Sequence, residues 1–279
     1  MLRIAVPNKG ILSESAIAML KEAGYATRRD PKDLHVVDTA NDVEFFYLRP
    51  RDIATYVGEG ALDAGFTGLD LLLDSRSGAE KVAKLDFGGS TFRFAGPVGR
   101  FQTLQELQGL RVATAYPNLV EDFLKLHGVR VHLVALDGAV EVAVRLGVAD
   151  AVADVVSTGN TLRQAGLEIF GPVILESTAE LIAAPSKKSA CEQLLKRLEG
   201  VLVAREYVIF DYDCPTNLVE QASKITPGIE SPTISPLHDP EWVAVRALVK
   251  AGQVNQKMDE LYALGARAIL VSAIHAARI

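Results

Sequence analysis

Short apolar runs and helix-periodic stretches alternate along this chain from its second residue, and that alternation restricts its possible folds more than any other feature. Leu2-Arg3-Ile4-Ala5-Val6 is an apolar run closed by Pro7, the pattern of a buried strand. Asn8-Lys9-Gly10 makes a turn. A helix follows from Ser13, with Ile17, Met19, Leu20 and Ala23 at helical spacing and Gly24 to stop it. The same alternation predicts strands over Val43–Leu48 and Ala64–Thr67, with helices over Pro50–Glu59 and Leu69–Asp74. Order of this kind predicts a mostly parallel sheet with helices on both faces.

The pattern restarts after the Gly- and Phe-containing stretch Phe87–Phe94. Strands are expected over Arg111–Thr114, Val131–Leu136 and Ala151–Val156, with helices over Leu119–His127 and Ala139–Leu146. Glu180–Pro185 reads as a strand returning to the first unit, and a charged helix follows over Ser186–Gly200. The remaining runs, Tyr207–Phe210, Leu218–Ile225, Ile229–Ile234, Trp242–Leu248, Val254–Leu264 and Ala268–Ile274, fall in the order βαββαβ, a ferredoxin-like arrangement. The expected organisation is a lobe of residues 1–90 with 177–204, a second lobe of 91–176, and a third domain of 205–279. Two α/β lobes joined by crossing segments leave a cleft where ligands bind.

Composition narrows the partners. Of 279 residues, 49% are hydrophobic and 23% charged, the balance of a globular chain with a full core. Basic residues number 29 against 35 acidic, a net charge of -6, which argues against a nucleic-acid partner. A polyanionic ligand must then be gripped by a few local cations and backbone N–H groups. The opening MLRIAVPNKG has no export-signal pattern and no window holds 18 uninterrupted apolar residues, so a cytoplasmic protein without a membrane partner is expected. Cys191 and Cys214 form no metal-ligand motif and are expected as free thiols.

The sharpest chemical signal is Asp154-Val155-Val156-Ser157-Thr158-Gly159-Asn160-Thr161. An apolar strand ends, and three hydroxyl side chains and a glycine follow within five residues as a helix begins. N–H groups at a helix start are unpaired and point outward, and glycine lets them approach an anion closely. The helix dipole adds only about 0.3–1 kcal/mol. Charge-assisted hydrogen bonds at roughly 1.5–3 kcal/mol each must supply the rest. Asp154 would repel a phosphate but suits paired sugar hydroxyls. Other strand ends carry complementary groups: Lys9 and Gly10, Arg49 and Arg51 around Pro50, Asp70 after Thr67-Gly68, and Tyr116 before Pro117, where an aromatic ring can stack on a base. Singly, each reads equally as a polar turn, a helix cap or a solvated charge; together they describe a cleft.

Five segments, Val6–Gly10, Phe46–Ile53, Gly65–Asp70, Ala115–Leu119 and Ala153–Leu162, resemble the ATP phosphoribosyltransferase family in the right order. Asp211–Pro215, Ile225–Thr233 and Leu264–Leu270 resemble the regulatory domain of that family's long form. The resemblance implies two lobes similar to a type II periplasmic-binding-protein fold, with the ferredoxin-like domain following. It implies transfer of phosphoribosyl from phosphoribosyl pyrophosphate to N1 of ATP, the first step of histidine biosynthesis, with histidine as feedback inhibitor. Asp154, Lys9 and Arg49 would be catalytic. Asp154 and Ser157, Thr158, Gly159, Asn160 and Thr161 would hold the phosphoribosyl group. Lys9, Gly10, Leu12, Arg49, Arg51, Asp70, Ser90 and Tyr116 would form the nucleotide and pyrophosphate side, with Glu141 nearby. Mg²⁺ would travel with the pyrophosphate, histidine would meet Asp213, Thr233 and Ala268, and the chain would form dimers in equilibrium with hexamers. The rival readings are a binding protein without catalysis and a phosphoribosyltransferase acting on a free nucleobase.

Overall fold

The computed structural model describes residues 1–156 and 159–278. By packing, the chain divides into a unit from Met1 to Leu195 and a second from Lys196 onward. No helix among the described residues is long and apolar enough to cross a membrane.

In the first unit the elements are β1 (Leu2–Pro7), α1 (Ile11–Glu22), β2 (His35–Asp38), β3 (Val43–Leu48), α2 (Pro50–Gly58), β4 (Ala64–Gly68), α3 (Leu69–Ser75), β5 (Glu80–Lys84), β6 (Ser90–Pro97), β7 (Arg111–Thr114), α4 (Pro117–Leu126), β8 (His132–Ala135), α5 (Glu141–Arg145), β9 (Ala151–Val156), α6 (Asn160–Gln164), β10 (Leu167–Ser177) and β11 (Ala179–Ala183). They form two sheets, β2-β3-β1-β4-β11-β5 in the first lobe and β10-β6-β9-β7-β8 in the second. β4 is buried at every position, as a central strand covered on both faces must be. α2 lies so close to it that a Cβ on Gly65 would sit 2.6 Å from Ile53 Cγ2, so glycine is required by approach rather than by conformation. Pro50 opens α2 where a missing N–H costs nothing.

The sheets are mixed rather than mostly parallel. β1 pairs in parallel with β3 and β4, and β7 with β8 and β9. β11 runs antiparallel to β4 and β5, and β6 runs antiparallel to β9 and β10. The reason is the crossing: β6 carries the chain out of the first lobe and β10–β11 carry it back, so these strands return without a helix between them. The two crossings touch. Ser90 pairs with Ser177, the Ala179 amide donates to Phe87 O at 2.9 Å, and the Leu85 amide donates to Ala179 O at 3.0 Å. Ser90–Phe94, within the Gly- and Phe-containing stretch, is thus the start of a strand. β10 is absent from the sequence reading because Gly171-Pro172 interrupts its pattern, where its pairing with β6 is bulged.

The charged segment after Pro185 begins as a 3-10 turn and becomes α7 (Glu192–Glu206). The packing break at 195/196 falls inside this helix, whereas the sequence places the boundary at 204/205. The second unit contains β12 (Tyr207–Pro215), α8 (Val219–Ile225), β13 (Thr233–Pro236), β14 (Trp242–Lys250), α9 (Val254–Leu264) and β15 (Arg267–Ala273). Its sheet has the order β13-β14-β12-β15 with every pairing antiparallel, which is the ferredoxin-like arrangement. One face buries Phe210, Tyr212, Cys214, Val245 and Leu261 as a core. Cys191 and Cys214 are both buried free thiols.

Candidate active site

The parallel strands of the first lobe end on one side of its sheet. β1 turns through Asn8–Gly10 into α1, with Gly10 at a φ of 78° that L side chains rarely adopt. β3 passes through Arg49 into α2, and β4 passes directly into α3. These turns, the crossing segment Gly88–Ser90, and Tyr116, Asp137 and Val155 of the second lobe enclose a cavity of about 1170 Å³. Lys9, Gly10, Leu12, Arg49, Arg51, Asp70, Ser90 and Tyr116, the eight residues expected on the nucleotide side, all line it. Lys9 and Arg49 line it without an ion-pair partner among the described residues.

Arg51 is engaged instead. Its Nη1 donates to Asp74 Oδ2 at 3.3 Å, and its guanidinium carbon lies 4.9 Å from the centroid of the Tyr116 ring. Tyr116 also meets Phe92 edge-on at 5.1 Å. One face of Tyr116 is therefore occupied by a cation, and the expected stacking on a base is open only at the other face or after Arg51 moves. Burial, followed by the nearby charges of Asp70 and Asp154, pushes the Tyr116 hydroxyl well above its ordinary range. That hydroxyl is a neutral donor facing the Asp70 carboxylate.

Asp70 is buried in the first turn of α3, and it is not the helix cap, a position held by Gly68. Ser177 Oγ donates to Asp70 Oδ1 at 2.8 Å and accepts from the Asp70 amide at 3.1 Å. A Cβ on Gly68 would lie 2.2 Å from Asp70 Oδ1, so the carboxylate occupies the space that glycine leaves.

Asp154 sits on β9 beside cavity-lining Val155. Burial, helped by the charges of Glu141 and Asp70 and opposed by the Val155 amide and Arg51, pushes its carboxyl up to about 6. The Val155 amide donates to it at 2.8 Å. Glu141 thus lies within electrostatic reach of Asp154, at the start of α5.

Of the expected phosphate loop, Ser157 and Thr158 lie outside the described residues. Gly159 caps α6 in the left-handed region with a φ of 69°, and Asn160 and Thr161 form the first turn. None of these three is among the residues lining the 1170 Å³ cavity, whose second-lobe side includes Val155 of β9.

One cavity residue and two residues that hold the cavity's side chains carry no role in the sequence analysis. Asp137 ends the β8 segment, ahead of Gly138 and of Ala139 in the left-handed region (φ 50°), and the strand-end rule that found Lys9 and Arg49 applies equally to it. Ser177 and Asp74 carry no such signal, because their partners lie 107 and 44 residues away in sequence.

In the second unit Asp213 pairs with Ala244 and Arg267 on its neighbouring strands, and Ala268 next to it has a φ of 50° where the β12–β15 register slips. A left-handed non-glycine residue at a bulge marks local strain. Thr233 lies across β14, opposite Arg246, which itself pairs with Asp211 at 2.7 Å. Asp213 and Ala268 are brought together, and Thr233 lies on the Asp213 face of the sheet two register positions along.

Residues 49–200 match the ATP phosphoribosyltransferase family (HisG), and residues 204–276 match its HisG C-terminal domain. The ATP phosphoribosyltransferase of Paenarthrobacter aurescens is 60% identical over 286 aligned positions covering both chains fully, and that of Streptomyces avermitilis is 56% identical over 285. Among solved structures, the Thermotoga maritima ATP phosphoribosyl transferase (HisG:HisZ) complex matches 71% of this chain and 97% of its own, at 29% identity and a TM-score of 0.63. An arginine-specific periplasmic binding protein of Salmonella typhimurium, 12% identical with a TM-score of 0.50 over 71% of this chain and 91% of its own, shares the two-lobed fold alone. By the extent of these matches the chain belongs to the ATP phosphoribosyltransferase family, in the long form that carries the C-terminal domain.

Proposed function

We propose that the cleft transfers the phosphoribosyl group of phosphoribosyl pyrophosphate to N1 of ATP, releasing pyrophosphate, as the first step of histidine biosynthesis. The observation that carries this reading is the pair of first-lobe cations that line the cavity and the carboxylate at its second-lobe edge. Lys9 and Arg49, without an ion-pair partner among the described residues, line the first-lobe side, while half-buried Asp154 lies on the second lobe next to cavity-lining Val155. Two polyphosphate substrates need the first; a cation-like sugar carbon needs the second.

The bond from C1′ to pyrophosphate breaks as the bond to N1 forms, through an oxocarbenium-like state that requires no protein nucleophile (compare glycosidases). The protein's contribution is then orientation and charge stabilisation. Lys9 and Arg49 take the negative charge growing on the departing pyrophosphate. Asp154 binds the ribose hydroxyls and, once ionised, offsets positive charge near C1′. Ser157 to Thr161 hold the 5′-phosphate, and Gly10, Leu12, Arg51, Asp70, Ser90 and Tyr116 shape the nucleotide side. Mg²⁺ carried on pyrophosphate oxygens would add charge neutralisation.

The second unit is read as the histidine sensor, with Asp213, Ala268 and Thr233 as its contacts, in a cytoplasmic homo-oligomer that passes between dimers and hexamers. Support comes from the strained Ala268 beside Asp213. Pyrophosphate release from ATP, phosphoribosyl pyrophosphate and Mg²⁺, measured with and without histidine, tests both halves. Absence of release would refute the catalytic reading, and release unaffected by histidine would refute the regulatory one. Light scattering in the same solutions reads the assembly.

A further inference from the structure

We propose that Asp74 is a positioning residue for the nucleotide side of the cleft, holding Arg51 of the first lobe and the start of helix α4 in the second lobe with one carboxylate. The inference rests on the reading of Arg51 as a nucleotide contact.

Asp74 lies near the end of α3 and is buried. Its two oxygens serve different lobes. Oδ1 accepts from the amides of Asn118 at 2.9 Å and Leu119 at 3.1 Å. These are first-turn N–H groups of α4, which has no side-chain cap of its own; Tyr116 holds the cap position and Pro117 has no N–H to offer. The cap therefore comes from another lobe. Asn118 Nδ2 returns a bond to the Asp74 main-chain oxygen at 2.7 Å, doubling the tie. Oδ2 accepts from Arg51 Nη1 at 3.3 Å.

Arg51 and Tyr116 are the two ends of this arrangement. Arg51 lines the cavity and lies over the Tyr116 ring, and Tyr116 immediately precedes the helix that Asp74 caps. One carboxylate thus fixes the first-lobe cation and the second-lobe ring relative to each other. Removing either partner leaves a buried negative charge under-satisfied, so the two lobes at this edge must move together or break the cap. Arg76 adds exposed pairs to Asp122 and Glu121, and such pairs contribute little. Asp74 carries the coupling.

The test separates the two ties in the full-length protein by steady-state pyrophosphate release. Asp74→Asn keeps one oxygen for the α4 amides but removes the charge beside Arg51. The KM for ATP should rise about 5- to 10-fold, while the KM for phosphoribosyl pyrophosphate changes less than about 2-fold. In an Arg51→Ala background the same substitution should add less than about 2-fold, because the partner is already gone. Asp74→Ala loses both carboxylate ties, keeping only the main-chain bond to Asn118, and should also lower kcat. Equal shifts in both KM values, or an undiminished effect in the Arg51→Ala background, would show a merely structural role and overturn the proposal. A defect in Arg51→Ala that Asp74→Asn fails to reproduce overturns the assignment of Asp74 alone. An unchanged KM for ATP in Arg51→Ala overturns the cleft reading and, with it, the proposal.

Discussion

Ser177 and Asp70 are bonded in both directions across 107 residues of sequence: the hydroxyl donates to the carboxylate and accepts from the same residue's amide. Ser177 belongs to the segment that leaves the second lobe and Asp70 to a helix of the first. The pair fixes a cavity carboxylate at the crossing itself. Ser177→Ala leaves two buried polar groups without that partner and should destabilise the protein by about 1–3 kcal/mol. Chemical denaturation of the variant against the parent checks the value.

Gly68→Ala should separate activity from folding. The backbone at Gly68 has an ordinary φ of −81°, so alanine brings no conformational strain. Its Cβ would nevertheless lie 2.2 Å from Asp70 Oδ1 and must displace that carboxylate. We expect kcat/KM for ATP to fall at least about 10-fold, since small misplacements at a site have large rate effects. Circular dichroism should be unchanged, and kinetics with each substrate varied in turn locates the loss.

The buried carboxyl of Asp154 gives a pH dependence with a definite sign. Its folded pKa, pushed up to about 6, lies above the ordinary aspartate value, so the folded state holds this proton more tightly than the unfolded state. The stabilising contribution is complete below about pH 4 and is lost as pH rises through 6, on the order of 2–3 kcal/mol. Activity runs the other way: an ionised Asp154 is needed at C1′, so kcat/KM for phosphoribosyl pyrophosphate should fall below pH 6. The substrate's phosphates titrate in the same range, and only the part of that limb absent from Asp154→Asn belongs to the residue.

Gly159→Val tests the loop. Little crowds this position, with Val156 Cγ1 at 3.7 Å from a notional Cβ, but the left-handed φ of 69° strains any L side chain by roughly 1–2 kcal/mol. The variant should fold with slightly lower stability and show a raised KM for phosphoribosyl pyrophosphate, with the KM for ATP unchanged. Initial rates over both substrate concentrations decide.

Asp213→Asn should raise the histidine concentration for half-inhibition by at least about 10-fold without altering uninhibited turnover, because a charge-assisted bond to a cationic ligand is lost. Cutting the chain after Glu206, where α7 ends, should abolish inhibition. Inhibition curves of the two proteins beside the parent are the measurement.

The fold was legible wherever periodicity was local. β3, α2, β4 and β9 appear within a residue or two of their sequence limits because each buries a continuous face and is bounded by Pro, Gly or charge. β2 and β5 were not legible: His35-Val36-Val37-Asp38 and Glu80-Lys81-Val82-Ala83-Lys84 are edge strands, short and half polar, whose pairing is set by neighbours. Lys9, Gly10, Arg49 and Tyr116, cavity residues that the sequence offered, follow the ends of strands, where direction alone brings them together. Ser177 and Asp74 were invisible because their function depends on a partner in another lobe. For Tyr116 the sequence shows an aromatic ring at the cavity, and only packing shows that Arg51 covers one of its faces.

The paired crossings have a consequence for how such a chain can be assembled. Ser90 and Ser177 are register partners in neighbouring strands, so the excursion between them begins and ends at almost the same place. Adjacent strands lie about 5 Å apart. In genetic terms the second lobe is a cassette with both of its splice points side by side. A recombination event could replace it whole with another lobe, and a circular permutation could open the chain there, each leaving the first sheet's own hydrogen bonds untouched.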